Sequence, residues 1–493
     1  METIGLNSVY IEPSNTAVAI NMPKEKLEPK ISESWSMIWN TFMNKTTMHG
    51  FQHVVGFRRR KIRGIFWSLA ILGMAACLVR SVVEVFQLYM NHPLRSDIQQ
   101  DISDELALPA VTLCNLSPLH KTRMNASIAL KRFILMSSNL RIFEPPINFS
   151  DPYFSELSNE VPADWLEMVA NRKSDMFFVC LLKGDLVSCQ DLFNERVTES
   201  GVCFTFNSWK YVQQNNGPIK TSLTGSNKGL TVYLAVDQEN YVFSENMAAG
   251  IKVVLHEPYE EPNVRDEGFV VSPGFSTYAA VKLTKYKYLP SPYKAFGSSY
   301  CVDTNARDFK HELLHYEAYS HYACMRECRT NHVQGKCGCR NIFDPGNATL
   351  CSPKMIITCY MDAVGSFEVD EIARSACKCE SPCHKSTFSV QTSTAYFPSN
   401  VIDGYLQTLG FRNMRQNYLE LRIFYERLTY TTIEQIPLYS LDYITATLGG
   451  NMGLFLGASL LTVIELMELL CSLMFLVMRN IFARKRPHQR VGP

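Results

Sequence analysis

Three groups of residues in this chain have the types and spacing for chemistry. The first is the stretch Leu448-Gly449-Gly450-Asn451-Met452-Gly453-Leu454-Phe455-Leu456-Gly457-Ala458-Ser459, which runs on through Glu465 and Glu468 to Val477. It is apolar and longer than the roughly 20 residues that cross a bilayer. Small residues let backbones approach closely within a membrane, and acids there face a partner or a water-filled path. The chemistry that fits is the passage of a cation. The second group, His311-Glu312-Leu-Leu-His315 with His321, spells a zinc-protease pattern: two imidazoles, a glutamate base and a third ligand. The third is a set of fourteen cysteines between Cys114 and Cys383, with Cys77 and Cys471 apart from it in apolar runs.

The zinc pattern lacks one part. The third ligand is brought round by a chain break, normally a glycine, and the position here is Ala318, which favours helix continuation. On an unbroken helix His321 points away from His311 and His315. A surface or interface helix is therefore expected, with no metal, no cofactor and no enzymatic activity.

The cysteines carry more weight. An even number confined to one region implies seven disulfides and an oxidising compartment. Cys324 and Cys328 lie at i,i+4 on one helix face, and Cys377 and Cys379 at i,i+2 on one strand face, so two rungs could staple a helix to an extended segment. Cys337 and Cys339 face Cys351 and Cys359 across distances suited to small loops; zinc is the rival reading of such close pairs. The sequons at Asn125, Asn148 and Asn347 fall in the same region and are expected to be glycosylated. Asn115 is a poorer acceptor because Pro118 follows its sequon.

These groups need elements to position them. The chain has 493 residues, a formal net charge of +1 and 46% hydrophobic residues. The balanced charge gives no support to nucleic-acid binding, and a mean hydropathy near zero suits a large water-facing body with a few membrane spans. Residues 1–61 carry no cleavable-signal pattern and read as cytoplasmic, ending in Arg58-Arg59-Arg60-Lys61. A membrane helix is expected over 62–89, with Arg80 and Glu84 as an interfacial pair near its outer end. A second membrane helix is expected over 437–478, followed by a basic cytoplasmic tail, 479–493, with Arg479, Arg484, Lys485 and Arg486. Basic flanks put both termini inside, so residues 90–436 form an extracellular domain. Strand-like runs such as Leu230-Thr-Val-Tyr-Leu-Ala-Val236 and Ile251-Lys-Val-Val-Leu255 predict a strand-rich α+β body, with helices around Ala126–Met136 and Tyr322–Thr330.

Further residues carry a resemblance. They are His49-Gly50 before the first span, Trp67 inside it, Pro109-Ala-Val-Thr-Leu-Cys-Asn-Leu116, Gly250-Ile-Lys-Val253, Pro273-Gly-Phe275, Tyr288-Leu-Pro290, Thr432-Ile-Glu-Gln435 and Gly457-Ala-Ser459. In this order, with the cysteine framework, the chain resembles the epithelial sodium channel, degenerin and acid-sensing ion channel superfamily over nearly its whole length, and within it the bile-acid-sensitive branch. The resemblance implies a homotrimeric, sodium-selective, amiloride-blocked channel of the plasma membrane, in contact with membrane lipid. Gly457, Ala458 and Ser459 would form the selectivity constriction, where tiny side chains let backbone carbonyls replace part of a cation's hydration shell. Ala446 and Gly450 would belong to the pore mouth, Glu465 and Glu468 to the inner vestibule, and His49 and Gly50 to a cytoplasmic gating segment. The implied disulfides are Cys114–Cys203, Cys180–Cys189, Cys301–Cys383, Cys324–Cys379, Cys328–Cys377, Cys337–Cys359 and Cys339–Cys351.

One departure bears on the stimulus. Acid-sensing members carry a histidine pair and an acidic pair at the outer end of the first span. Here those positions are Pro93-Leu94 and Gln99-Gln100, with His92 one position early. A proton trigger needs titratable groups, so protons are not the expected main stimulus. The branch implies bile acids or similar amphiphiles as modulators and extracellular calcium as an inhibitor. A peptide-gated member of the family and a non-conducting cell-surface receptor are the alternatives.

Overall fold

In a computed structural model, residues 31–55, 61–143, 145–244, 246–310 and 313–484 are described. Arg58, Arg59, Arg60, Lys485 and Arg486, the first thirty residues, and His311-Glu312 lie outside the described residues. The chain divides into two compact units, residues 1–91 with 439–493, and residues 92–438.

The first unit is helical. Helices α1 (Ile31–Lys45) and α2 (Phe51–Val55) precede α3 (Lys61–Met90), whose apolar span Ile62–Met90 is long enough to cross a membrane. Arg80 and Glu84 pair within α3 at 2.8 Å on exposed positions.

The second unit is built on two sheets. Its elements in chain order are β1 (Leu94–Ile102), β2 (Ala110–Asn115), α4 (Ile128–Met136), β3 (Phe177–Leu182), β4 (Asp185–Val187), β5 (Phe193–Thr198) and β6 (Gly201–Phe206). They continue with β7 (Leu230–Ala235), β8 (Ile251–His256), β9 (Phe269–Val271), β10 (Phe275–Lys287), α5 (His321–Cys337), α6 (Met361–Val369), β11 (His384–Tyr396) and β12 (Tyr418–Pro437). The larger sheet runs β11-β10-β12-β7-β3-β4, with β1 added along β12; the smaller runs β9-β8-β2-β6-β5. Pairs are antiparallel except β10 with β12, which is parallel.

Alternation explains why these strands face as they do. Along β7, Leu230, Val232 and Leu234 point to one face and are fully buried; along β8, Ile251 and Val253 do the same. They meet Leu113, Phe204 and Phe206 of the smaller sheet and Leu419, Leu421 and Ile423 of β12 in one continuous core. Tyr425 completes it, donating from its hydroxyl to the Ala107 carbonyl at 2.8 Å.

Seven disulfides brace this unit: Cys114–Cys203, Cys180–Cys189, Cys301–Cys383, Cys324–Cys379, Cys328–Cys377, Cys337–Cys359 and Cys339–Cys351. Cys324 and Cys328 do share one face of α5. Cys377 and Cys379, however, do not lie on a strand. Cys377 sits in the turn after the short helix Glu371–Ser375 and Cys379 in the irregular segment beyond it, with Lys378 between them in the left-handed region at φ 51°. A second expectation also fails. The segment from Leu313 to Tyr319 is not helical, and α5 starts only at His321, capped by the Ser320 hydroxyl. The physical reason is the Glu327 carboxylate, which accepts from the backbone N–H groups of Leu314 and His315 at 3.0 and 3.2 Å. Those bonds fold the segment back on α5 and take the donors a continued helix would leave inside.

Candidate pore and gating site

The long apolar run near the C-terminus forms two helices where one was expected over 437–478. Helix α7 (Leu441–Leu456) ends at Gly457, and α8 (Leu460–Arg484) begins after Ser459. Ser440 starts α7 by accepting from the Tyr443 N–H at 3.1 Å. Gly457 stops it by adopting φ 61°, the left-handed cap that glycine takes without a Cβ penalty. Ser459 then opens α8: its N–H donates to the Thr462 hydroxyl at 3.0 Å. Gly457, Ala458 and Ser459 are thus the non-helical joint between α7 and α8, and only α8, with its apolar stretch Leu460–Met478, is by itself long enough to cross a membrane.

Gly457 is small for a further reason. A Cβ at that position would fall 1.8 Å from Nδ1 of His49. The His49 ring occupies the notch, and its backbone N–H donates to the Leu456 carbonyl at 3.3 Å. Gly50 follows with φ 87°, and a Cβ there would press on the Trp67 ring at 3.2 Å. His53 packs on the same indole at 4.7 Å between ring centroids. His49 and Gly50 are therefore brought to Gly457 on one side and Trp67 on the other.

The preceding threonines complete the joint. Thr46 donates from its hydroxyl, and Thr47 from its N–H, to Oε2 of Glu465, each at 3.0 Å. The Thr47 and Thr462 hydroxyls lie 2.7 Å apart. Thr46 and Thr462 are buried at 4% and 1% exposure, while Thr47 is exposed and Glu465 half-buried, so the bonds lie at the edge of the packed joint. Glu465 and Glu468 thereby separate in role. The first is held by the segment before α2, and the second is exposed. Upstream, the Asn451 amide donates to the Ser81 hydroxyl of α3 at 2.8 Å, while Ala446 and Gly450 are exposed on α7.

Sequence reasoning missed Thr46, Thr47, Thr462, Asn451 and Ser81. Ser459 and Thr462 carry a local signal, since a hydroxyl followed three residues later by another polar side chain marks a helix start. The others are joined only by the fold.

In the second unit, Asn125, Asn148 and Asn347 are exposed, whereas Asn115 is buried and donates to the Val236 carbonyl at 2.9 Å. Gln99 and Gln100 lie exposed on β1, and His92 stacks edge-on with Tyr293 at 5.2 Å. A buried group and a half-buried one there have displaced ionisation. His256 is pushed down to about 4 by burial, its ring bonded to Thr112 and to the Glu257 carbonyl at 2.8 Å each. The Glu260 carboxyl is pushed up to about 7, again by burial, against the pull of Lys385.

Comparison with known proteins adds the wider frame. The family described as amiloride-sensitive sodium channel matches residues 42–469. Acid-sensing ion channel 2 of Rattus norvegicus is 30% identical over 452 residues, covering 87% of this chain and 85% of its own length. Acid-sensing ion channel 1 of Gallus gallus is 29% identical over 463 residues, covering 90% and 85%. Acid-sensing ion channel 4-B of Danio rerio is 30% identical over 441 residues, covering 87% and 75%.

Proposed function

The chain belongs to the amiloride-sensitive sodium channel family, whose members are ion channels and not enzymes, and from that premise we propose that it forms a sodium-selective, amiloride-blocked cation path as a homotrimer in the plasma membrane. The observation that carries this reading is the three-residue joint Gly457-Ala458-Ser459 between α7 and α8, with His49 seated in it. Irregular backbone at membrane depth is tolerated where it is buried in protein or lines a water-filled cavity. A ring of such joints around an axis supplies closely spaced backbone dipoles for a partly dehydrated cation. Ala446 and Gly450 then flank the outer part of the path. Glu468 attracts cations on the inner side, and Glu465 holds the gating segment through Thr46 and Thr47.

The stimulus is read as an amphiphile, bile acids included, acting against restraint by extracellular calcium. Protons are not the main trigger. Support comes from Pro93-Leu94 and Gln99-Gln100, which carry no group that titrates near neutral pH. Both termini are cytoplasmic, supported by the basic residues before α3 and at the end of α8, and Asn125, Asn148 and Asn347 carry glycans.

The test is electrical. In oocytes, Ala446→Phe is expected to give a constitutive, amiloride-blocked sodium current, and Ser459→Cys to change the sodium-to-potassium permeability ratio. Surface expression of both variants without any cation current would overturn the channel reading and favour a non-conducting receptor.

A further inference from the structure

The ectodomain holds a cavity of about 1100 Å3 between α4, strands β8 and β9, and α6. Part of its wall is apolar, from separate elements: Leu130 and Phe133 from α4, Trp165, Val270 from β9, and Met361 and Val364 from α6. Val270 is 47% and Met361 36% exposed, so the apolar lining is open to water. A cavity of this volume, with apolar side chains beside a few convergent charged groups, has the form of a small-molecule site.

The charges around it are arranged unequally. At the rim, exposed Arg141, Glu156 and Glu160 mix both signs in water, and Arg265 pairs with Glu368 at 3.1 Å across to α6. Deeper in, Glu199 and Asp344 are already engaged by Arg329, and Asp344 also accepts from the Tyr360 hydroxyl at 2.8 Å. Lys252 differs from all of these. It is half-buried on β8, lines the cavity, and has no ion pair among the described residues. An anion brought by a ligand would give this ammonium a charged partner at the cavity wall.

We propose that this cavity binds an anionic amphiphile, its apolar body lying against Phe133, Trp165, Val270 and Val364 and its single anionic head on Lys252. A steroid carboxylate and a fatty-acid carboxylate share that chemistry. The site rests on the proposed channel reading only for its effect on current.

The test uses the full-length protein in lipid nanodiscs, with diazirine analogues of cholate and of laurate as probes and mass spectrometry to locate the label. Label is expected on the segments holding Leu130–Phe133, Val270 and Met361–Val364, displaced by the unmodified carboxylate and at least ten-fold less by a zwitterionic analogue. Lys252→Gln should cut it at least ten-fold and Lys252→Arg should keep it. Val364→Trp should abolish it by filling the cavity; should that variant fold poorly, the Lys252 pair still decides. Whichever probe labels more strongly identifies the body as steroid or chain. Label confined to α3, α7 and α8, no label at all, or cavity label unchanged in Lys252→Gln would overturn the proposal. Oocyte current under the same compounds keeps the two readings apart. A labelled cavity without a current response removes amphiphile modulation and leaves the site. A current response with an unlabelled cavity removes the site and leaves the modulation.

Discussion

The unit of residues 92–438 and the helical unit of residues 1–91 with 439–493 are held together by different kinds of bond. The first has seven disulfides, two sheets over one core, and a buried cluster of ion pairs. In that cluster the Arg326 guanidinium meets Glu261 at 2.6 Å, Arg196 holds the same carboxylate, and Arg329 holds Glu199. The helical unit has two free cysteines, Cys77 and Cys471, its Arg80–Glu84 pair is exposed, and its joint is held by hydroxyl, amide and carboxylate hydrogen bonds and by glycine notches. Breaking a buried ion pair or a disulfide costs enough to unfold a domain, whereas exchanging a hydroxyl–carboxylate bond is within reach of a conformational equilibrium. On bond strength alone, the first unit is the stiffer and the helical one the more easily rearranged.

That contrast is most exposed at Glu261. Its carboxyl is raised by burial and pulled back by Arg196 and Arg326. Glu261→Ala would leave both arginines without their shared partner, at about 3 to 5 kcal/mol. Loss of folded protein at the cell surface is expected, measured by surface biotinylation and thermal unfolding. Normal surface levels would break the contrast. Next in size is Cys301→Ser with Cys383→Ser, which opens a closure of 82 residues and should cost about 2 to 4 kcal/mol, read as a lowered unfolding temperature.

In the helical unit the same logic predicts altered current with normal folding. Gly457→Ala demands a positive φ of an alanine, about 1 kcal/mol, and drives its Cβ into the His49 ring. The ring can swing aside, so the protein should reach the surface with a changed sodium-to-potassium permeability ratio. His49→Ala in the same chain should restore part of it. If Gly457→Ala instead abolished surface expression, the joint would be as rigid as the ectodomain and the distinction between the units would fail.

How far each region could be read from sequence follows the same division. Strands β7 and β8 announce themselves by alternation, and the cysteines by residue type and region, because both signals are local. The joint at Gly457 was hidden, since a glycine in an apolar run is equally compatible with a continuous helix until its φ is known. The bonds of Thr46 and Thr47 to Glu465 join residues more than four hundred positions apart, with no pattern to link them. Near His315 the local signal pointed the wrong way. Spacing favoured helix, and the Glu327 carboxylate on α5 captured the backbone donors instead. At Cys377 and Cys379 an i,i+2 spacing suggests a strand, and the left-handed Lys378 between them breaks the extended backbone a strand needs.

The smallest predicted effect concerns protons, which should act on the stability of the ectodomain and not on opening. Glu260 titrates near 7 when folded and near 4.5 when unfolded, so its contribution is fully present below about pH 4.5 and is lost as pH rises through 7. His256 works in the opposite sense. With its folded value near 4 against 6.5, its contribution is present above pH 6.5 and is lost as pH falls towards 4. Glu260 is partly solvent-exposed, which reduces the effect of its shift to about 1 kcal/mol. Glu260→Gln should therefore leave the unfolding temperature near wild type at pH 5 and raise it by about 1 to 2 °C at pH 8. Oocyte current should show no matching change across that range. A current that tracked the titration of Glu260, and lost its pH dependence in Glu260→Gln, would make the rigid unit a proton sensor and give it a part in opening.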